Sequence, residues 1–315
     1  MEKGTKQKET QLFKKLKKVC KKCTEASMKV YMRNIKRLWK LVHDGDSPVP
    51  LTGSWMRQKK LLEAVRNKPL NLRRHLSISA VKACKMYGVS SDKWSVQMYK
   101  DANLYERERS KNKKTPVESE KWPKKGYKSV KEASTEMMKR VRVLMRSGKP
   151  SMSTLYKYQM ALVLRLYSEI PFRNLWGTFS LKKGENNNYI ENPKKGNISF
   201  VVRQHKSAKS IGPKTVHLSR GASMFLRKFL QYRAQVVDND HLLNTMKQAK
   251  MTRATLGKAL HRTTGEILGK KFGSRLIRVL AATASRKELE KVQELGHKML
   301  HSGGSKQTAQ YSRKD

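Results

Sequence analysis

Four segments of the chain carry basic or hydroxyl side chains in contexts that suggest chemistry. They are EIPFRNLWGTFSL with Arg173, RQHKSAKS with Lys206, GSRLIRVLAATAS with Arg275 and Arg278, and MLHSGGSKQTAQYSRKD with His301 and Tyr311. A tyrosine is a weak nucleophile because its hydroxyl titrates near pH 10, and it becomes a good one only when other groups activate it. We therefore ask whether the rest of the chain supplies the cations that Tyr311 would need.

Arg278 gives the first indication of what those cations would hold. It stands among Leu276, Ile277, Val279 and Leu280, in a segment that is otherwise apolar. An unpaired charge in such surroundings is costly. An anionic phosphate bound beside Arg278 would remove that cost.

Metal and nucleotide chemistry have little support in the sequence. The eight His residues are scattered, and no HExxH motif, GxxxxGK[ST] phosphate loop or nucleophile-elbow serine is found. Cys20 and Cys23 form one CxxC without the second Cys/His pair that a zinc site needs, and Cys84 is predicted to lie in a helical core. We expect no metal and no cofactor.

The charge of the chain points to a polyanionic partner. Its 315 residues include 71 Lys and Arg against 24 Asp and Glu, a formal net charge of +47. Nucleic acid is the leading partner, and an anionic membrane surface is the competitor. No stretch approaches the ~20 apolar residues of a spanning helix, and the first residues lack the apolar core of a signal peptide. These patterns predict an intracellular protein that is not a membrane protein.

The N-terminal half reads as a helical module behind a basic tail. The lysine-rich residues 1–26 are predicted to be a solvated tail, which could also bind phosphates or serve as a nuclear-import signal. In residues 27–108 apolar residues recur at three- and four-residue steps between Lys and Arg, which indicates short basic helices. One of them is predicted to start with Asn71 as its cap and to end at Gly88. They predict a helical DNA-binding domain, followed by a polar linker at 109–130.

Residues 131–315 are predicted to form a second domain that is mainly helical with a small β-hairpin. Helical patterns cover 129–145 and 153–170, then 221–236, 252–268, 274–284 and 286–300. Between them lie β-rich runs at 198–203 and 215–218, around a Lys/Ser/Gly/Pro turn. The fold class expected for the whole chain is mainly α with a small β-sheet.

The order and context of the reactive residues resemble the tyrosine recombinases, or phage-type integrases, especially their divergent forms in large DNA viruses and eukaryotic mobile elements. IPFR resembles the family's first arginine segment, RQHKSAKSIGPKTVHLS its β-hairpin, FGSRLIRVLAAT its second arginine helix, and KMLHSGGSKQTAQYSR its histidine and tyrosine segment. The matching residues are Arg173, Lys206 with Lys209 as the alternative, Arg275 where the family has His or Lys, Arg278, His301 with His297 as the alternative, and Tyr311.

The resemblance implies DNA recombination or integration without a metal or ATP. Tyr311 would attack a phosphodiester and form a 3′-phosphotyrosyl bond, with Arg173 and Arg278 on the phosphate oxygens. Lys206 would protonate the leaving 5′-oxygen, and His301 would bind the phosphate or assist the tyrosine. The implied partners are double-stranded DNA and further copies of the chain, in a tetramer, in the nucleus of a eukaryotic host or otherwise in the cytoplasm. A type IB DNA topoisomerase and a non-enzymatic basic DNA-binding protein remain as alternatives.

Overall fold

Helices make up most of the protein, and a small sheet lies in its C-terminal half. A computed structural model describes residues 2–43, 47–111, 113–146, 148–191, 194, 196–205, 208, 212–286 and 288. The helices are α1 (Glu2–Val19), α2 (Glu25–Lys40), α3 (Lys59–Arg66), α4 (Leu70–Tyr87), α5 (Asp92–Ser110), α6 (Pro116–Lys121), α7 (Lys128–Arg146), α8 (Met152–Tyr167), α9 (Arg220–Ala234), α10 (Arg253–Leu268) and α11 (Ser274–Ala284). The strands are β1 (Phe179–Ser180), β2 (Asn188–Glu191), β3 (Ser199–Val202) and β4 (Lys214–His217). The predicted fold class, mainly α with a small sheet, is confirmed.

The chain divides into two compact units, Met1–Lys113 and Lys114–Asp315. The division falls inside the segment 109–130, for which the sequence predicted a linker. This segment is not without structure, because it contains α6 and the first residues of α7. Thr115 and Glu118 begin α6 with a reciprocal capping box, which satisfies backbone N–H groups at both positions.

In the N-terminal unit, α4 packs against α1, α2, α3 and α5. The segment 1–26 differs from the predicted tail, because its first part is α1 and contributes to the core of this unit. Leu12, Leu16 and Cys20 recur every four residues and are all buried. Such spacing places them on one face of a helix, so that the lysines between them stay at the surface.

The ends of α4 test two predicted helix signals. Gly88 ends the helix with a left-handed φ of 68°, which confirms that prediction. The predicted cap at Asn71 is wrong, because Pro69 precedes the helix and Asn71 lies in its first turn. Proline has a φ that suits a helix start and no N–H to satisfy there, so the helix begins two residues earlier than the asparagine indicated. The prediction that Cys84 lies in the core is confirmed by its complete burial.

The C-terminal unit packs α7, α8, α9 and α10 with a sheet of strand order β1-β2-β3-β4. The predicted hairpin is confirmed as the antiparallel pair β3 and β4, while β1 and β2 pair in parallel. The sequence did not predict β1, which has two residues, or β2, which follows a run of asparagines. The predicted helix at 274–284 is α11, and most of the one predicted at 286–300 lies outside the described residues.

Candidate active site

Arg173 lies exposed in the turn that follows α8. Phe172 and Trp176 on either side of it pack together with ring centroids 4.8 Å apart, and Trp176 is fully buried. Asn174 adopts a left-handed φ of 50°, which reverses the chain between these two aromatic anchors. The core therefore fixes the backbone on both sides of Arg173 while its side chain remains at the surface.

The second predicted arginine segment forms α11. Leu276, Ile277 and Leu280 are buried in the core of the C-terminal unit. Arg278 is half-buried at the edge of this apolar face, and Arg275 is exposed. The apolar context that distinguished Arg278 in the sequence thus has a structural counterpart, since the packed face of the helix holds that guanidinium close to the core.

The start of α11 is fixed by contacts with α10. The hydroxyl of Thr264 accepts a hydrogen bond from the backbone N–H of Phe272 at 3.0 Å and donates one to its carbonyl at 2.9 Å. A Cβ on Gly273 would lie 2.8 Å from Nε2 of His261, so only glycine fits without a shift of the imidazole. These contacts set where α11 leaves α10 and hence where Arg278 lies.

The positive charges of Arg173 and Arg278 act on each other. Burial lowers the pKa of Arg278, and the positive charge of Arg173 lowers it further. A guanidinium group keeps its positive charge in proteins near neutral pH. Two segments that are far apart in the sequence therefore carry like charges that influence each other.

Within the described part of the chain, no carboxylate neutralises this arginine pair. No ion pair or side-chain hydrogen bond joins Arg173 or Arg278 to a described residue. The nearby Glu169 is engaged by Arg165 at 3.0 Å and by the hydroxyl of Ser219 at 2.7 Å. An anion bound between the two arginines would relieve their repulsion, and planar guanidinium groups suit the oxygens of a phosphate.

The β3–β4 hairpin holds the ends of the loop that contains Lys206 and Lys209, although both lysines lie outside the described residues. The side-chain oxygen of buried Asn188 accepts hydrogen bonds from the backbone N–H groups of Arg203 and Gln204 at 2.8 and 2.7 Å. A ring nitrogen of His205 lies 2.9 Å from the carbonyl oxygen of Gly212 on the other side of the loop. Both ends of the loop are thereby fixed in the sheet.

His297, His301 and Tyr311 also lie outside the described residues. Their predicted roles stay predictions. Of the six residues expected to form the site, the structure describes Arg173, Arg275 and Arg278.

The described side chains include no group of three or more His, Cys, Asp or Glu that could hold a metal ion. Cys20 and Cys23 are free thiols. Burial raises the pKa of Cys20 to about 11, and the neighbouring Cys23 contributes to this increase. A metal would require thiolates, which this environment disfavours. None of the helices in the described ranges is long and apolar enough to cross a bilayer.

A basic groove of about 780 Å³ runs between α1 and α2 in the N-terminal unit. Its apolar floor is formed by Phe13 and Met32. Basic side chains surround this floor: Lys14, Lys17, Lys29, Arg33 and Lys36. The charge count predicted a polyanionic partner, but the groove depends on α1 packing beside α2, which the sequence did not reveal.

Three residues beside the two arginine segments were not singled out by sequence. They are Tyr167 and Asn174, which join by a hydrogen bond of 3.1 Å, and His261 beside Gly273. None stands in a motif. The one local signal is the dipeptide Arg173–Asn174 after a proline, because asparagine tolerates the left-handed conformation better than most residues.

No protein-family model, curated protein or solved structure matches this chain.

Proposed function

We propose that the chain breaks and rejoins double-stranded DNA through a 3′-phosphotyrosyl intermediate, as tyrosine recombinases do. The observation that carries this proposal is the arginine pair, since the charge of Arg173 acts on Arg278 and no acidic partner is found for either among the described residues. Such a pair is suited to the two non-bridging oxygens of a phosphodiester.

In the proposed reaction, the hydroxyl oxygen of Tyr311 attacks the phosphorus and the bond to the 5′-oxygen breaks. The electron pair of that bond goes to the 5′-oxygen, which takes a proton from Lys206, and the phenolic proton passes to the imidazole of His301 as the attack proceeds. Rejoining is the reverse of this reaction with the 5′-hydroxyl as the nucleophile. The covalent bond conserves the energy of the phosphodiester, so that ATP is not needed.

The arginine pair contributes most in the transition state. Negative charge grows on the non-bridging oxygens as the phosphorane forms, and donors already in place stabilise that charge. Removing one such donor costs on the order of 3 kcal/mol of activation free energy. Arg275 would add a further donor to a phosphate oxygen, because a permanently charged guanidinium cannot serve as an acid or base.

The net charge of +47 and the α1–α2 groove support duplex DNA as the partner. Strand exchange between two duplexes needs four active sites, so we propose a tetramer assembled on DNA. The protein would act in the nucleus of a eukaryotic host or in the cytoplasm of a prokaryotic one.

A non-enzymatic DNA-binding protein is the second candidate, and the groove is the observation that favours it. Such a protein would retain all of its activity without Tyr311. A type IB topoisomerase would share the chemistry but religate the same strand as a monomer. The helical N-terminal unit supports a recombinase over a topoisomerase. The small viral topoisomerases have a β-rich N-terminal domain instead.

The test is covalent capture on nicked duplex DNA with randomised sequence around the nick. Cleavage near the nick releases a short 5′-hydroxyl strand, so the phosphotyrosyl adduct accumulates and can be detected on a denaturing gel. We expect the full chain to form an adduct and Tyr311→Phe to form none. An adduct that persists in Tyr311→Phe would exclude Tyr311 as the nucleophile, and absence of an adduct with the unsubstituted chain would leave the DNA-binding alternative.

Tyr99→Phe is the matched control for this experiment. Tyr99 is 65% exposed on α5, so removal of its hydroxyl should leave folding and DNA binding unchanged. We expect Tyr99→Phe to form the adduct as the unsubstituted chain does. Supercoil relaxation by the protein at low concentration, where it is monomeric, then distinguishes a topoisomerase from a recombinase.

A further inference from the structure

The two walls of the α1–α2 groove are built alike. The residues that line it recur at the spacing i, i+3, i+4 and i+7 in both helices, within 10–17 on α1 and 29–36 on α2. This spacing places each set on one face of its helix. In both sets the second position is apolar, Phe13 and Met32, and the third and fourth positions are basic. The groove therefore has an apolar floor between two basic rims.

Among the described residues that line the groove, no carboxylate offsets the charge of the rims. Lys29 pairs with Glu25 at 2.7 Å, but both side chains are mostly exposed, so water screens this pair. The lining thus keeps an excess of positive charge, which selects an anionic ligand.

Phe13 gives the floor an aromatic face. Its side chain packs against the core of the N-terminal unit and remains partly exposed in the groove. In proteins that bind single-stranded nucleic acid, cations hold the phosphates while bases stack on aromatic side chains. The basic rims and the Phe13 ring supply both of these parts within one groove.

A duplex cannot use the floor as a single strand can. The helices α1 and α2 pack against each other, and packed helices lie about 8–10 Å apart. The major groove of B-DNA alone is about 12 Å wide. A duplex can therefore place its phosphates on the rims, but its paired and stacked bases do not reach Phe13. An unpaired base has a free face that can.

An acidic amphipathic helix of another protein is the other occupant with a suitable charge. Such a helix buries a broad apolar stripe when it docks in a groove. The α1–α2 groove offers it only two apolar side chains among five basic ones. This composition favours nucleic acid, because a base needs one stacking surface and every nucleotide brings a phosphate.

We propose that the α1–α2 groove is a binding site for single-stranded nucleic acid, with one base stacked on Phe13 and the neighbouring phosphates on the basic rims. The duplex is bound by the rims alone. The site rests on the proposed function only in the source of the strand, which would be the DNA strand freed beside a cut.

The experiment measures the Kd of the full chain for fluorescein-labelled strands of about 12 nucleotides, within the roughly 4–16 that a single-strand site covers. The strands are oligo-dT, oligo-U and an abasic strand of the same length, and a DNA duplex is measured beside them. We expect oligo-dT and oligo-U to bind more tightly than the abasic strand, because only they carry bases that stack. The tighter of the two identifies DNA or RNA as the source of the strand.

Phe13→Leu removes the aromatic ring but keeps an apolar side chain on the floor. We expect its Kd for the tighter strand to rise about tenfold, the effect of one lost base–aromatic contact. Its Kd for the abasic strand and for the duplex should stay within about twofold, which also shows that the variant is folded. Phe13→Trp should bind the tighter strand as the unsubstituted chain does, because it restores a stacking surface.

Met32→Leu is the matched control. Met32 lies on the same floor but has no aromatic face, and the exchange of methionine for leucine nearly keeps the side-chain volume. We expect its Kd for every strand to stay within about twofold of the unsubstituted value.

Equal Kd values of Phe13→Leu and the unsubstituted chain for oligo-dT and oligo-U would overturn the stacking site, and so would an equal loss for the abasic strand or the duplex. An acidic amphipathic peptide that binds more tightly than either strand and depends on Phe13 would replace nucleic acid by a protein partner. Failure of the proposed function looks different: the strands would bind and depend on Phe13, but no covalent DNA adduct would form.

Discussion

Burial lowers the pKa of Arg278 and the charge of Arg173 lowers it further, although Arg173 lies in the turn after α8 and Arg278 in the second turn of α11. Aromatic packing fixes the turn that carries Arg173, and buried leucine and isoleucine side chains fix the helix that carries Arg278. The fold thus maintains a repulsion that a bound anion would relieve. Each arginine is expected to matter far more for catalysis than for folding.

Arg278→Ala should reduce the single-turnover rate of adduct formation on nicked DNA by about 10²- to 10³-fold, as loss of one preorganised transition-state donor does. Arg278→Lys should recover little of this rate, because an ammonium group cannot bind two oxygens in one plane. Arg140→Ala is the control, since Arg140 is an exposed residue of α7 that pairs with Glu136 at 3.6 Å. A similar rate loss in Arg140→Ala would contradict a special role for Arg278.

The α1–α2 groove should dominate the salt dependence of DNA binding. Each phosphate contact adds about 0.9 to the slope of log K against log salt concentration, so the triple variant Lys14→Glu, Lys17→Glu, Arg33→Glu should lower this slope by roughly 3. Fluorescence anisotropy across a salt series measures it. Lys59→Glu removes a lysine that is 92% exposed beside Glu63 on α3, and it should change the slope by less than about 1. Equal slopes for the triple variant and the parent would exclude the groove from the DNA interface.

Alkaline pH should destabilise the N-terminal unit through Cys84. Burial raises the pKa of this thiol from 9.0 to about 11. Between those values the unfolded state loses the proton and the folded state keeps it, so the free energy of unfolding falls as pH rises, by about 3 kcal/mol in total. Below pH 9 the Cys84 thiol is protonated in both the folded and the unfolded state, so none of this stability is lost.

Urea unfolding of the parent and of Cys84→Ala at pH 8 to 11 isolates the contribution of the Cys84 thiol, because the two proteins share every other titratable group. Cys84→Ala should be less stable at pH 8 and should lose less stability on the way to pH 11. Parallel pH profiles for the two proteins would show that the Cys84 thiol does not titrate in the expected way.

Gly177→Ala should destabilise the C-terminal unit by about 1–3 kcal/mol, the usual effect of overpacking a core. A Cβ at Gly177 would lie 2.7 Å from the backbone carbonyl oxygen of Met251, which cannot move like a flexible side chain. Gly148→Ala is the matched control, because its Cβ would meet no atom within 4 Å. Thermal unfolding measures both, and an equal change in the two variants would contradict the packing described at Gly177.

Local patterns were sufficient for much of the secondary structure. The apolar period of 274–284 predicted α11, and the β-rich runs predicted β3 and β4. They failed where structure depends on distant contacts. The lysine-rich sequence of α1 did not indicate a packed helix, because Leu12 and Leu16 become a core face only when α2 and α4 pack against them. The strand β1 has two residues and is too short to show the alternation of apolar and polar residues that indicates a strand.

In the candidate site, too, local sequence patterns revealed some residues, while others depend on contacts between distant segments. Arg278 stood out because its neighbours are apolar, which is a local property. Tyr167 did not, because an aromatic residue in an apolar helix normally indicates packing alone. The hydrogen bond that its hydroxyl donates to Asn174 depends on how the turn after α8 folds back on the helix.

The most direct test is to locate the covalent bond in the adduct itself. Trypsin digestion of the adduct, nuclease trimming of the DNA and mass spectrometry should find the nucleotide on the peptide of residues 307–313, attached to Tyr311. The same adduct should not form in the double variant Arg173→Ala, Arg278→Ala. A nucleotide on any other residue, or an undiminished adduct in the double variant, would contradict the account.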